Sequence, residues 1–235
     1  MKVAFFAEGQ AFGKIPRDYT NMRTDMAWIC ASEAVRIPYY ETKNIKEKFD
    51  LGVCIIPKRL DLSHKNFALE QSDIPRIKGI CNKVVSMQEG PHWYFQDYPL
   101  EQQIWYYNLL QEMDEIFVHN EMDATYFQGL TGKRCKVMRT LLIEDSIKDI
   151  PKNEGSGVMI GGNFCHWYGG FDSYIVAQEF KEQVYVPSMG RKIEGEEQME
   201  NLQHLPYLQW NNWMAELSKR KYGVHLMRTQ AAGTF

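Results

Sequence analysis

The feature that most restricts the fold of this chain is an alternation running almost from end to end: short apolar runs take turns with longer segments of helical period. "KVAFFA" reads as a strand. After a loop of about fourteen residues, "RTDMAWICASEAVR" places Met26, Ile29, Cys30 and Ala34 on one helical face. "IPYY", "LGVCIIP" and "NKVVSMQ" are further strand-like runs, two of them rich in β-branched residues, as buried parallel strands are. "LEQQIWYYNLLQEM" is the next helix, opened by Asp97 and by Pro99 in its first turn. The strand "EIFVH" leads to the helix "NEMDATYFQGLTG", with Asn120 as N-cap, Asp123 in the first turn and Gly132 at the end, and then to the strand "CKVMRT". Strands that alternate with helices build parallel βαβ units.

The polar run "LLIEDSIKDIPKNEGSG" contains Pro151, Gly155 and Ser156 and has no sustained period, which marks a boundary near residue 150. Beyond it the alternation restarts with "GVMIGG", the helix "FDSYIVAQEF", the strand "QVYVPSM", a charged loop, the strand-like "LPYLQW", the helix "NNWMAELSKR" and the strand "YGVHLMRT". The expected architecture is α/β, two Rossmann-like domains in tandem: 1–150 with about six strands, and 151–235 with about four and therefore incomplete. On this reading the chain is expected to be a fragment or a shortened reading frame.

Composition limits the function classes. With 44% hydrophobic and 13% aromatic residues in 235, the chain can fill a packed core. A net charge of −3, with acids and bases mixed along the chain, predicts no electrostatic grip on nucleic acid or on an anionic membrane. The first apolar run meets Glu8 at once, too short for a signal peptide or a membrane span, so a cytoplasmic protein is expected. Five scattered cysteines without a CxxC favour reduced thiols over a disulfide framework or a zinc site.

Three stretches carry a resemblance to a known family. "MDEIFVHNEMDATYFQGLTGKRCKVMRT" looks like the end of the N-terminal domain of glycosyltransferases of the GT-B fold, of the family 1 and family 4 kind. "GGNFCHWYGGFDSYIVAQEF" is similar to the glycine turn and helix that open their donor domain. "YLQWNNWMAELSKRKYGVHLMRTQAAGTF" resembles the strand and helix that precede the strand reaching the nucleotide sugar. "HWYGG" and "AAGTF" suit phage-encoded proteins of this kind. The resemblance implies sugar transfer from a nucleotide diphosphate donor to a hydroxyl acceptor, and because no acidic DxD-type pair follows a strand in the usual place, no metal or other cofactor is expected beyond that co-substrate. Where many members carry basic residues at the two glycine turns, this chain has Asn163 and Tyr168, and their ribose-binding Glu has no counterpart around Ala231–Gly233.

Ligands of open α/β sheets sit beyond the carboxyl ends of the strands, which selects the residues after each apolar run. After the first strand stand Glu8, Gly9 and Gln10, in a loop long enough to hold an acceptor. After the fourth stand Glu89 and His92, the candidate catalytic residues, a carboxylate and a neutral imidazole either of which can take a hydroxyl proton, with Trp93 as a ring for a sugar's C–H face. Gly161, Gly162, Asn163, Gly169 and Gly170, with Arg228 as cation, are the candidate diphosphate site, resting on backbone amides at a helix start. His64, His119, His204 and His225 have no metal-ligand spacing and are expected to be structural. A non-catalytic binding module, in which the glycines serve packing alone, and a nucleotide-sugar epimerase are the alternatives.

Overall fold

The structure is a computed structural model that describes residues 1–9, 11–56, 69, 73–88, 90–151, 154–161, 164, 168–187 and 194–226. Gln10, Glu89, Gly162, Asn163 and Arg228 of the expected site lie outside the described residues. The chain divides into two compact units, one formed by Met1–Arg17 with Thr24–Leu142 and the other by Asp18–Arg23 with Ile143–Phe235. Both are α/β.

The first unit is a seven-stranded sheet made of β1 (Val3–Ala7), β2 (Gly13–Lys14), β3 (Val35–Pro38), β4 (Phe49–Ile56), β5 (Cys81–Gln88), β6 (Glu115–Val118) and β7 (Cys135–Val137), in the order β2-β3-β1-β4-β5-β6-β7. Every pair is parallel except β2 with β3, where a two-residue antiparallel strand lies along the outer edge. Its helices are α1 (Thr24–Ala31), α2 (Ile74–Ile80), α3 (His92–Gln96), α4 (Leu100–Glu112) and α5 (Glu121–Thr131). Strand side chains alternate between faces. On one face Ala4, Phe6, Cys54, Ile56, Val84, Ile116 and Val118 pack with Ile74 and Ile77 of α2, Leu109 and Leu110 of α4, and Phe127 of α5. Full burial of a side chain such as Phe6 or Phe127 contributes about 1.5–3 kcal/mol. The order of strands in the sheet reverses between β1 and β4, and it is beyond the carboxyl ends at such a reversal that open α/β sheets take their ligands.

The second unit holds β8 (Val158–Ile160), α6 (Gly170–Ala177), β9 (Val184–Val186), β10 (Leu202–His204), α7 (Trp210–Leu217) and β11 (Tyr222–Val224), with an all-parallel sheet in the order β10-β9-β8-β11. Val158, Ile160, Val184, Val186 and Val224 pack with Tyr174 and Ala177 of α6. This is the order of half a Rossmann sheet, and its reversal lies between β8 and β11. No helix among the described residues is long and apolar enough to cross a membrane.

The elements depart from the sequence reading in instructive places. The first helix stops at Ala31, short of Ala34, because a left-handed residue intervenes: Glu33 has φ +52°, its N–H bonds the Cys30 carbonyl at 3.1 Å, and the Ala34 N–H bonds Ile29 at 3.0 Å. That is a Schellman ending, with Ala34 and Ile29 both buried and with glutamate where glycine is usual. The stretch read as a loop after β5 contains α3, and Asp97 ends that helix rather than opening the next, which is entered at Pro99. The third strand of the second unit is Leu202–His204, not "LPYLQW". Leu205 donates one more bond to Val186 at 2.8 Å, and Pro206, lacking an N–H, cannot continue the ladder.

Candidate functional site

The carboxyl ends of the neighbouring strands β5 and β6 bring together residues from two separate loops. After β5, buried Gly90 and Pro91 turn the chain, and Pro91, in an extended conformation, is the N-cap of α3. The short helix α3 is held by Phe95, which is buried among the rings of Tyr98, Tyr106, Tyr126 and Phe127 at centroid separations of 5.7–6.5 Å. His92 therefore starts a fixed helix. After β6, Asn120 caps α5 by accepting the Asp123 N–H at 2.8 Å, and Gly132 ends the helix in the left-handed region at φ +67°.

At this junction His92 Nδ1 lies 2.7 Å from Asp123 Oδ1, and the His92 backbone N–H donates to the same oxygen at 2.9 Å. The other carboxylate oxygen, Oδ2, accepts from Asn120 Nδ2 at 2.8 Å. The His92 ring also stacks on Tyr126, with centroids 4.8 Å apart and planes inclined by 29°. An ionised carboxylate only accepts, so the contact puts the ring proton on Nδ1 and leaves the lone pair on Nε2. The side chain of Asp123 is 2% exposed and that of His92 15%, and Nε2 has no hydrogen-bond partner among the described residues. A buried acceptor, an oriented imidazole and an accessible lone pair are what a general base requires.

Beside His92, Trp93 and Tyr94 are half-buried and stack on each other, their centroids 4.4 Å apart. At the end of β1, Glu8 is exposed and Gly9 has φ +86°. The loop there is tied down by Arg36 of β3, only 4% exposed, whose guanidinium donates to the carbonyls of Glu8 and Ala11. Glu8 and Gly9 thus sit at the β1/β4 reversal, while His92 and Trp93 sit two strands along the same edge.

In the second unit Gly161 follows β8 at the β8/β11 reversal, but its N–H donates to the Val224 carbonyl at 2.7 Å. That amide extends the sheet and is closed to an anion. Gly169 is the N-cap of α6 with φ +61°, and no side chain caps the helix. The first-turn amides of α6, beginning at buried Gly170, are accordingly left without a capping side chain, at the end of a dipole that favours negative charge. Fully buried Ser173 braces the other side of the reversal, its hydroxyl accepting the Leu226 N–H at 2.9 Å. His225 follows β11 at the same place. Partial desolvation holds the imidazole of this exposed residue below the ordinary histidine value, and a hydrogen bond to the Gly161 backbone works in the opposite direction.

Three functional candidates escaped the sequence reading. Asp123 was visible as a first-turn acid, yet nothing local connects it to a histidine 31 residues earlier. Arg36 sits inside an apolar strand, where a lone charged residue was the available signal. His225 was read as structural, and only its strand's place beside β8 brings it to the reversal. Among the described residues no group of three or more His, Cys, Asp or Glu is placed to hold a metal ion. No protein-family model matches the chain, and a search of curated proteins finds no match either.

Proposed function

We propose that this protein is a glycosyltransferase that uses a nucleotide diphosphate sugar and a hydroxyl acceptor. The observation that carries the reading is the His92–Asp123 pair at the carboxyl edge of the first sheet, at 2.7 Å. His92 Nε2 takes the proton of the acceptor hydroxyl while that oxygen forms a bond to the anomeric carbon. The bond from the anomeric carbon to the diphosphate oxygen breaks, and its electron pair leaves with the nucleotide. Asp123 stabilises the imidazolium that forms. In the second unit, the N-terminus of α6, which no side chain caps, favours a bound anion, since first-turn amides and the helix dipole attract negative charge. A single displacement of this kind inverts the anomeric configuration.

The test is titration calorimetry with a panel of nucleoside diphosphates and their sugars, followed by release of nucleoside diphosphate in the presence of mixed acceptors. The reading predicts binding of at least one nucleotide, and a fall in transfer of about 100-fold or more in His92→Ala with nucleotide affinity unchanged. A flat thermal response to the whole panel would defeat it. That result would favour a non-catalytic α/β module, which the sheet bond made by the Gly161 N–H also favours. Conversion of the sugar without any acceptor would point instead to an epimerase.

A further inference from the structure

We infer that Asn120 is a positioning residue for the His92 base, and that the cap of α5 and the orientation of the imidazole are one device. The assignment rests on the reading of His92 as a proton acceptor. In a capping box the side chain three residues into a helix turns back to the N–H of its own cap residue. Here Asp123 occupies that third position, but its carboxylate turns to His92 instead, taking both the ring Nδ1 and the backbone N–H on Oδ1. Asn120 compensates with two opposed contacts: its Oδ1 accepts the Asp123 N–H, and its Nδ2 donates to Asp123 Oδ2.

These contacts use both ends of one amide, and both carboxylate oxygens are engaged in a site that is almost closed to water. The carboxylate is thereby fixed about its last torsion. Without the Nδ2 donor, Oδ2 would be a buried acceptor with nothing opposite it, and the group would gain by rotating toward another donor. Rotation moves Oδ1 away from Nδ1, and the imidazole then loses its reason to keep the proton there. Tyr126 fixes the plane of the ring by stacking but carries no hydrogen-bonding information about which nitrogen is protonated. That choice lies with Asp123, and the posture of Asp123 lies with Asn120.

Asn120→Ser separates the two tasks. A serine hydroxyl accepts a first-turn N–H as a good N-cap, so α5 stays capped, but the amide donor to Oδ2 is gone. The experiment is nitrogen NMR of the histidine rings in the full chain, with His92→Gln used to assign the His92 signals. Wild type is expected to show the Nδ1–H form dominant, and Asn120→Ser is expected to shift the mixture toward Nε2–H several-fold in a protein that still melts cooperatively, at a somewhat lower temperature. Asp123→Asn sets the limit for complete loss of the carboxylate. Where transfer is measurable, kcat should fall in Asn120→Ser with KM unaltered. An Asn120→Ser spectrum identical to wild type at His92 would overturn the assignment, even if the protein transfers sugar. A shifted spectrum in a protein that transfers nothing would uphold the positioning role and remove the glycosyltransferase reading. Should the serine variant fail to fold, Asn120→Thr, which caps in the same way, is read by the same spectrum.

Discussion

Glu33 and His225 show how much a single position can hold. Glu33 adopts φ +52° at the end of α1, exposed to solvent, in a conformation that a side chain with a Cβ resists. Glycine tolerates it freely, so Glu33→Gly should stabilise the protein by about 0.5–1 kcal/mol despite the greater flexibility of the unfolded chain, read as a higher urea midpoint. An unchanged or lower midpoint would mean that the Schellman ending is held by other contacts. For His225, partial desolvation depresses the proton affinity of the folded state relative to the unfolded value of 6.5. The associated stability is present above that unfolded value and is lost as pH falls through the lower folded one. Thermal melts at pH 7.5 and 5.5 should therefore differ less in His225→Gln than in wild type.

Between strands, the amino end of β6 is organised around one acid. Glu115 is 7% exposed, and Lys83 on β5 reaches it at 2.7 Å while Lys136 on β7 lies at 3.3 Å. The ammonium of Lys83, and with it that of Lys136, holds the carboxyl below its ordinary value against the opposing effect of burial. The folded value is depressed, so the stabilisation is present above the unfolded carboxyl range and disappears as pH falls through the folded one. Glu115→Gln should lower stability by about 1 kcal/mol at pH 7, the partners being solvated lysines, and the difference should be smaller at pH 3. A gap of equal size at both pH values would mean that lost packing, not charge, is responsible. The apolar pattern of β6 was legible in the sequence as "EIFVH", but its neighbours were not. Which strands flank it depends on the order of the sheet, and no local period encodes that order.

At the scale of the whole molecule, three of the four described cysteines lie inside. Cys30, Cys54 and Cys81 are buried and, with Cys135, unpaired. Burial pushes the thiol of Cys54 far up, and those of Cys81 and Cys135 to about 11. At pH 8 the thiolate, which is the reactive form, is scarce at all three, so alkylation mapped by peptide mass should be slow at Cys54 and Cys81 in the native protein and fast in denaturant. Rapid native labelling at Cys54 would show that the sheet around β4 opens readily.

The sequence by itself determined the class: two series of parallel strands and helices, several caps, and the placement of His92, Glu8 and Gly161 just beyond strands, because period, capping and turn chemistry act over a few residues. Tertiary structure alone decided the rest. It set the order of strands and hence the reversals, brought Asp123 to His92, and turned the Gly161 N–H into the sheet. It also made Gly155 more than a linker glycine, since a Cβ there would meet the backbone carbonyl carbon of Arg220 at 2.4 Å. Each of these depends on which distant segments become neighbours. That is settled by how the whole set of apolar faces can be buried at once, a condition that no short window of sequence contains.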